Sequence, residues 1–252
     1  MNWTFGIVTY SGHGNMDKIK QKNALKKIVR SIENDVPEDN YEIIIVGDFF
    51  EIEFQQTKIL AFDESRRPGW ITRKKNLITE NAQFENIVYM HDYFVLHPGW
   101  YAGFEKFGAD WDVAMNVIIN ADGTRYRDWC TWDDPEYGPP WIQYEPFCGS
   151  GGKYRAGKNR LPGYDYDKIQ YMYISGGYWV AKKHFMEQYP LDERWVWGEA
   201  EDVEWSDRIR EVANYRMNVF SAVDMFKYKD PVLKPINPYH MTRKYITESL
   251  VQ

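Results

Sequence analysis

Residues 41–48 read Tyr-Glu-Ile-Ile-Ile-Val-Gly-Asp. Branched aliphatic side chains in an unbroken run this short predict a strand buried on both faces, and Gly47-Asp48 marks its end. Upstream, Phe5-Gly6-Ile7-Val8-Thr9 reads as a first strand. Between the two, Ile19, Leu25, Ile28, Val29 and Ile32 recur at helical spacing from about Asp17 to Glu33. Lys18, Lys20, Lys22, Lys26, Lys27 and Arg30 fill the other side, the solvated face of an amphipathic helix. Strand, helix, strand with fully apolar strands implies a parallel crossover and an α/β fold.

The pattern continues downstream. A helix is expected over Thr72–Asn81 and a strand over Ile87–Met90, which ends in His91-Asp92-Tyr93. A helix over Gly99–Phe107 and a strand over Val113–Ile119 follow. From 120 to 170 the periodicity dissolves into Gly, Pro, Trp and Tyr around Gly149-Ser150-Gly151-Gly152, and a loop of that length is normally functional. Order resumes with Tyr171–Ile174, the turn Ser175-Gly176-Gly177 and Tyr178–Ala181. An acidic helix, a late strand over Met217–Phe220 and a Pro-punctuated tail carrying His240 complete the chain.

The 252 residues fit one domain with large loops. A net charge of −6 argues against sequence-independent nucleic-acid binding, which needs a basic surface. Aromatic residues make up 17% of the chain, more than a core needs, and flat aromatic faces suit the apolar C–H faces of sugars. Cys130 and Cys148 are the only cysteines, too few for a four-cysteine zinc site and read as free thiols. No signal peptide and no apolar window of membrane-spanning length is recognisable, which predicts a cytoplasmic protein. Peripheral membrane association stays compatible with this composition, and no feature specifies an oligomeric state.

Two segments carry the chemistry. Residues 195–208 read WVWGEAEDVEWSDR, with Glu199, Glu201, Asp202, Glu204 and Asp207 close behind a Trp-Gly turn. Gly198 breaks the preceding structure, and acids in a first turn complement the helix macrodipole. Val203, Ile209, Val212 and Ala213 form a loose apolar stripe, which puts Glu201 and Asp202 at the helix mouth. A carboxylate beside indole rings loses solvation and gains basicity, as a general base requires, although an acidic first turn on a surface helix would have the same composition. The second segment is the strand ending in Asp92. In open α/β sheets ligands bind beyond the carboxyl ends of strands, so Asp92 is placed to meet one.

The order of FGIVTY, YEIIIVGD, PGWITRKKN, NIVYMHDYFVLHPGW, ISGGYWVAKKHF, WGEAEDVEWSDR and NPYHMTRK resembles nucleotide-sugar glycosyltransferases of the GT-A fold. Both family-2-like enzymes and inverting galactosyl- and N-acetylgalactosaminyltransferases share these motifs. The resemblance implies a Rossmann-like, mostly parallel mixed sheet flanked by helices in a single catalytic domain over residues 1–252. Residues 1–119 would bind the nucleotide sugar, and 120–252 would bind the acceptor and carry the catalytic groups. Thr9 and Tyr10 after the first strand and Asp48 after the second would form the nucleotide pocket, with Arg73, Lys75 and Asn76 approaching the donor. His91 and Asp92 occupy the slot of the metal-binding acid pair, where Tyr93 replaces a second acid. Asp92 and His240 would hold Mn²⁺ or Mg²⁺, Arg243 and Lys244 would meet phosphate, and Gly176 and Gly177 would let backbone approach the donor sugar. Glu201-Asp202 align with a Glu-Asp pair whose Asp deprotonates the acceptor hydroxyl.

The implied reaction is inverting transfer of a sugar from a nucleotide donor, with UDP the expected nucleotide, to a glycan or glycoconjugate hydroxyl, as in polysaccharide biosynthesis. A sugar nucleotidyltransferase would need a basic, glycine-rich loop after the first strand, and Ser11-Gly12-His13-Gly14-Asn15 has no Arg or Lys. A non-catalytic glycan-binding protein of the same fold would explain Tyr93 and leave Glu201-Asp202 unexplained.

Overall fold

The computed structural model describes residues 1–9, 18–47, 54–63, 65, 67–128, 130–131, 160–161, 164, 172–229 and 234–235. In chain order the elements are β1 (Trp3–Val8), α1 (Lys18–Asp35), β2 (Tyr41–Gly47), β3 (Thr57–Ala61), α2 (Ile71–Asn81) and β4 (Asn86–His91). Next come β5 (Phe94–Leu96), α3 (Trp100–Phe107), β6 (Val113–Ile119), β7 (Cys130–Thr131), β8 (Arg160–Leu161) and β9 (Met172–Tyr173). The last are β10 (Tyr178–Lys182), α4 (Lys183–Gln188), α5 (Glu201–Ile209), β11 (Tyr215–Met225) and β12 (Lys234–Pro235).

The predicted crossover is present: β1 runs parallel to both β2 and β4, with Val8 opposite Val46 on one side and His91 on the other. The main sheet has the order β3-β2-β1-β4-β10-β6-β11-β5. Its first four strands are parallel, β10 is antiparallel to both neighbours, and β11 is again parallel to β6. The carboxyl ends of β1, β2, β4, β6 and β11 therefore share one edge. A second sheet, β12-β8-β7-β9, sits beside it.

Helices cover both faces because the central strands are apolar on both. Gly6 of β1 leaves room for Ile78 of α2, whose side chain would lie 2.3 Å from an added Cβ. On the other face Trp3 packs at 4.8 Å against Trp100 and Phe104 of α3, and Phe5 at 5.3 Å against Trp100. Asp35 at the end of α1 accepts the N–H groups of Gly99 and Tyr101 at 2.6 and 2.7 Å, joining α1 to the head of α3. Fully burying side chains of this size contributes about 3 kcal/mol each.

Three departures from the sequence expectations have local causes. The late strand does not stop at Phe220 but continues to Met225 across a register shift between Asn218 and Ala222. Asn218 satisfies that bulge itself, accepting the Phe220 N–H at 2.9 Å and donating to Ser221 at 2.8 Å. The segments flanking Gly176-Gly177 belong to different sheets, β9 to the small one and β10 to the main one. The turn thus links two sheets, held by the Tyr178 N–H to Ser175 carbonyl bond at 3.0 Å. β3 and α4 have no clear sequence signal: one is a half-exposed edge strand and the other too short to display a helical period. Among the described residues no helix is long and apolar enough to cross a membrane.

Candidate active site

A cleft of about 540 Å³ opens at the shared carboxyl edge. Lys20 and Ala24 of α1 line it. Val8 at the end of β1 and Thr9 after it, His91 at the end of β4 with Asp92 and Tyr93 after it, and Gly69 before α2 with Ile71 and Lys74 in its first turn form the floor and one side. Phe226, Lys227 and Lys229 after β11 form the other, with Trp197, 56% exposed, at the lip. The Trp197 N–H bonds the Gly69 carbonyl at 2.8 Å, tying the acidic segment to the loop before α2.

Thr9, His91 and Asp92, named from the sequence, meet in this cleft. Thr9 is tied by its N–H to the Val46 carbonyl at 3.0 Å, its hydroxyl accepts from Gln21, and its carbonyl accepts from Lys74 Nζ at 2.7 Å. His91 donates its N–H to the Gly177 carbonyl at 2.9 Å. Asp92 Oδ2 and His91 Nε2 are both buried and have no hydrogen-bond partner among the described residues. Burial pushes the Asp92 carboxyl up to about 6, against the pull of Lys227, Lys74 and Lys229. Burial and the nearby Lys75, Lys229 and Lys74 ammonium groups push the His91 imidazole well below its ordinary value, so it is neutral.

Behind the cleft lies the head of α5. Ala200 precedes it in the left-handed region at φ 65°, a conformation that costs a non-glycine residue about 1 kcal/mol and turns Glu201 and Asp202 inward. Asp202 Oδ2 accepts the Gly176 N–H at 2.9 Å and Oδ1 accepts the Val203 N–H at 3.0 Å. Each oxygen keeps a further lone pair for a proton or hydroxyl. Gly176 and Gly177 are required by close approach: a Cβ on Gly176 would lie 2.8 Å from Asp202 Oδ2, and one on Gly177 would lie 2.7 Å from the Tyr93 hydroxyl. This turn connects the end of β4 to the head of α5.

Glu201 is buried and faces Lys75 Nζ at 3.9 Å, while Lys75 donates to the Gly176 carbonyl at 2.8 Å. Burial, then the adjacent Asp202, raises the Glu201 carboxyl, and burial lowers the Lys75 ammonium against the pull of Glu201 and Asp202. The other acids of the segment are committed elsewhere. Glu199 accepts the Val196 N–H at 3.1 Å, Glu204 pairs with Arg208 at 2.8 Å and Asp207 with Arg210 at 2.6 Å. Arg73 is engaged with Glu80 at 2.5 Å and Glu193 at 3.1 Å, and Asn76 with the Leu191 carbonyl at 2.9 Å. Neither lines the cleft; Lys74 does. Tyr10, Asp48, His240, Arg243 and Lys244 lie outside the described residues.

No protein-family profile and no curated protein matches the sequence. Solved structures do match. The structure of GalNAc-T7 with UDP, GalNAc and Mn²⁺ aligns with a TM-score of 0.60 at 14% identity, over 94% of this chain and 45% of that one. S. aureus TarS 1-349 aligns at 0.53 and 12% identity, over 89% of this chain and 60% of that one. Its complex with UDP aligns at 0.51 and 12% identity, over 99% and 64%. The chain has the GT-A fold. It spans less than two thirds of each of these structures.

Within this GT-A fold the sequence pattern does not single out Lys227 and Lys229, because it ends the last long strand at Phe220. The repeat Lys227-Tyr228-Lys229 after an apolar run is the available signal. Arg127 is likewise missed; burial disfavours its charge, and the nearby Asp202 carboxylate favours it. As for a metal, only Asp92 of the two expected ligands is described, and three lysines face it. Among the described residues no cluster of three His, Cys, Asp or Glu side chains could hold a metal ion. A hard divalent cation prefers several oxygen ligands, so these residues alone do not fit one.

Proposed function

We propose that the chain is an inverting glycosyltransferase that moves a sugar from a nucleotide-sugar donor, UDP-linked, to a glycan hydroxyl. The observation that carries this reading is the turn Ser175-Gly176-Gly177, which contacts the end of β4 through His91 and Tyr93 and hydrogen-bonds the Asp202 carboxylate. A donor lying over Asp92 would present its sugar toward the Ser175-Gly176-Gly177 turn and the Asp202 carboxylate that packs against it. UDP in two of the similar structures supports the choice of nucleotide.

Asp202 acts as general base. The acceptor oxygen attacks the anomeric carbon, its proton passes to Asp202, and the bond to the diphosphate breaks with the electron pair leaving on the diphosphate. The two backbone N–H bonds fix the carboxylate so that it is not reoriented during transfer. Glu201, beside Lys75, orients sugar hydroxyls, and Trp197 offers an exposed aromatic face to the acceptor.

The test is UDP release from a panel of UDP-sugars with and without glycan acceptors, with the product anomer read by NMR. Acceptor-stimulated release with inversion supports the assignment. Retention, or release of no nucleotide from any donor, defeats it.

A further inference from the structure

Lys227 and Lys229 follow β11, Lys74 lies on α2 and Lys20 on α1, so cations from three parts of the chain line the cleft that holds Asp92. Lys229 is the most constrained by a side chain: its Nζ donates to the Tyr93 hydroxyl at 2.5 Å and lies 4.0 Å from the ring centroid. Tyr93 is itself fixed, its hydroxyl against Gly177 and its ring 4.6 Å from Phe94. An ammonium group keeps three donors, and one bond to Tyr93 leaves two for another acceptor. Lys74 is held by the Thr9 carbonyl, and Lys227 is exposed. Among the described residues lining the cleft Asp92 is the one carboxylate, beside Lys20, Lys74, Lys227 and Lys229, and two donors of the Lys229 ammonium are left for an incoming group. This lining suits an anion carrying more than one charge.

Resting on the donor reading above, we propose that Lys229, positioned by Tyr93, together with Lys227 and Lys74, binds the diphosphate of the nucleotide donor and neutralises its charge as it departs. Tyr93, in the second-acid slot of the His91-Asp92-Tyr93 segment, then aims an ammonium instead of ligating a metal. The chemistry selected is a nucleoside diphosphate rather than a nucleoside, because the lining combines Lys74, Lys227 and Lys229 with the apolar Val8, Ile71 and Phe226.

Calorimetric titration of UDP and of uridine into the full chain tests this, in chelator and again in Mn²⁺. Native UDP binding is expected in chelator, at least about tenfold tighter than uridine, as charge-assisted bonds to phosphate should provide. Lys229→Gln should lose about tenfold in UDP affinity with uridine unchanged, Tyr93→Phe should lose less, and Lys229→Arg should retain most of it. Melting curves without nucleotide confirm that each variant is folded, and Tyr93→Phe carries the test if Lys229→Gln is not. UDP binding that appears only with Mn²⁺, or that is unaffected by Lys229→Gln, overturns the lysine assignment and leaves the glycosyltransferase reading standing. Binding of neither probe under either condition removes both.

Discussion

At the scale of single residues, environment separates carboxylates of similar sequence context. Asp202 rests on two backbone N–H groups with lone pairs to spare, while Glu204 and Asp207 are consumed by arginines. Asp202→Asn preserves those contacts in shape and removes the proton acceptor. We expect kcat to fall by roughly two or more orders of magnitude with UDP affinity retained, measured by steady-state kinetics and titration. A near-native rate would return the role to Glu201. Asp92 makes a different kind of claim. Its carboxyl is raised from 3.8 to about 6 mainly by burial, so the folded state holds the proton more tightly than the unfolded chain. Its stabilising contribution is complete below about pH 4 and is lost as pH rises through about 6, amounting to about 3 kcal/mol at most. Asp92→Asn should therefore be more stable than the native chain in urea at pH 7.5, with the difference shrinking toward zero at pH 4. A difference constant across that range would mean that Asp92 titrates normally.

Between elements, α2, the Ser175–Gly177 turn and α5 are joined by one buried side chain. Lys75 bonds the Gly176 carbonyl, faces Glu201 and lies 5.5 Å over the Trp179 ring. A buried ammonium is expensive unless its bonds are complete, so its value is in holding three elements in register rather than in stability. Removing it leaves Glu201 unpaired. Lys75→Met should destabilise the chain by about 3 kcal/mol and lower kcat more than it raises KM, because the Gly176 N–H would no longer be aimed at Asp202. In the double variant with Glu201→Gln the stability loss should be smaller than the sum, as a double-mutant cycle by chemical denaturation would measure. Strict additivity would show that the two groups do not interact.

For the whole molecule, the order of strands in the sheet matters more than their order in the chain. β10, from the C-terminal part, lies between β4 and β6, and β11 lies between β6 and β5. Residues 1–119 are thus not a folding unit. Expressed alone, this fragment would leave β4 and β6 without the strand that joins them and would expose unpaired edges. It should show no cooperative melt and should aggregate, checked by circular dichroism and sedimentation. A cooperative transition in the fragment would mean that the parallel half is self-sufficient.

The strands β1, β2 and β4, the helices α1 and α2 and the crossover between them were legible in the sequence, because burial on both faces demands apolar runs and one-sided burial demands a helical period. The place of Asp92 in the cleft was legible for the same reason, since a residue directly after a buried parallel strand stands at the edge where the cleft opens. Local pattern could not say which acid after Gly198 faces the site, because Glu199, Glu204 and Asp207 differ from Asp202 only in the partners that distant residues supply. It could not show that Lys75 is a buried brace while Lys74 meets the cleft, since adjacent helical positions point about 100° apart and the sequence does not carry their phase against the sheet. Nor could it bring Lys229 to Tyr93, 136 positions away. That contact exists because β11 runs parallel to β6 and so ends at the same sheet edge as β4, a consequence of strand pairing that only the tertiary structure decides.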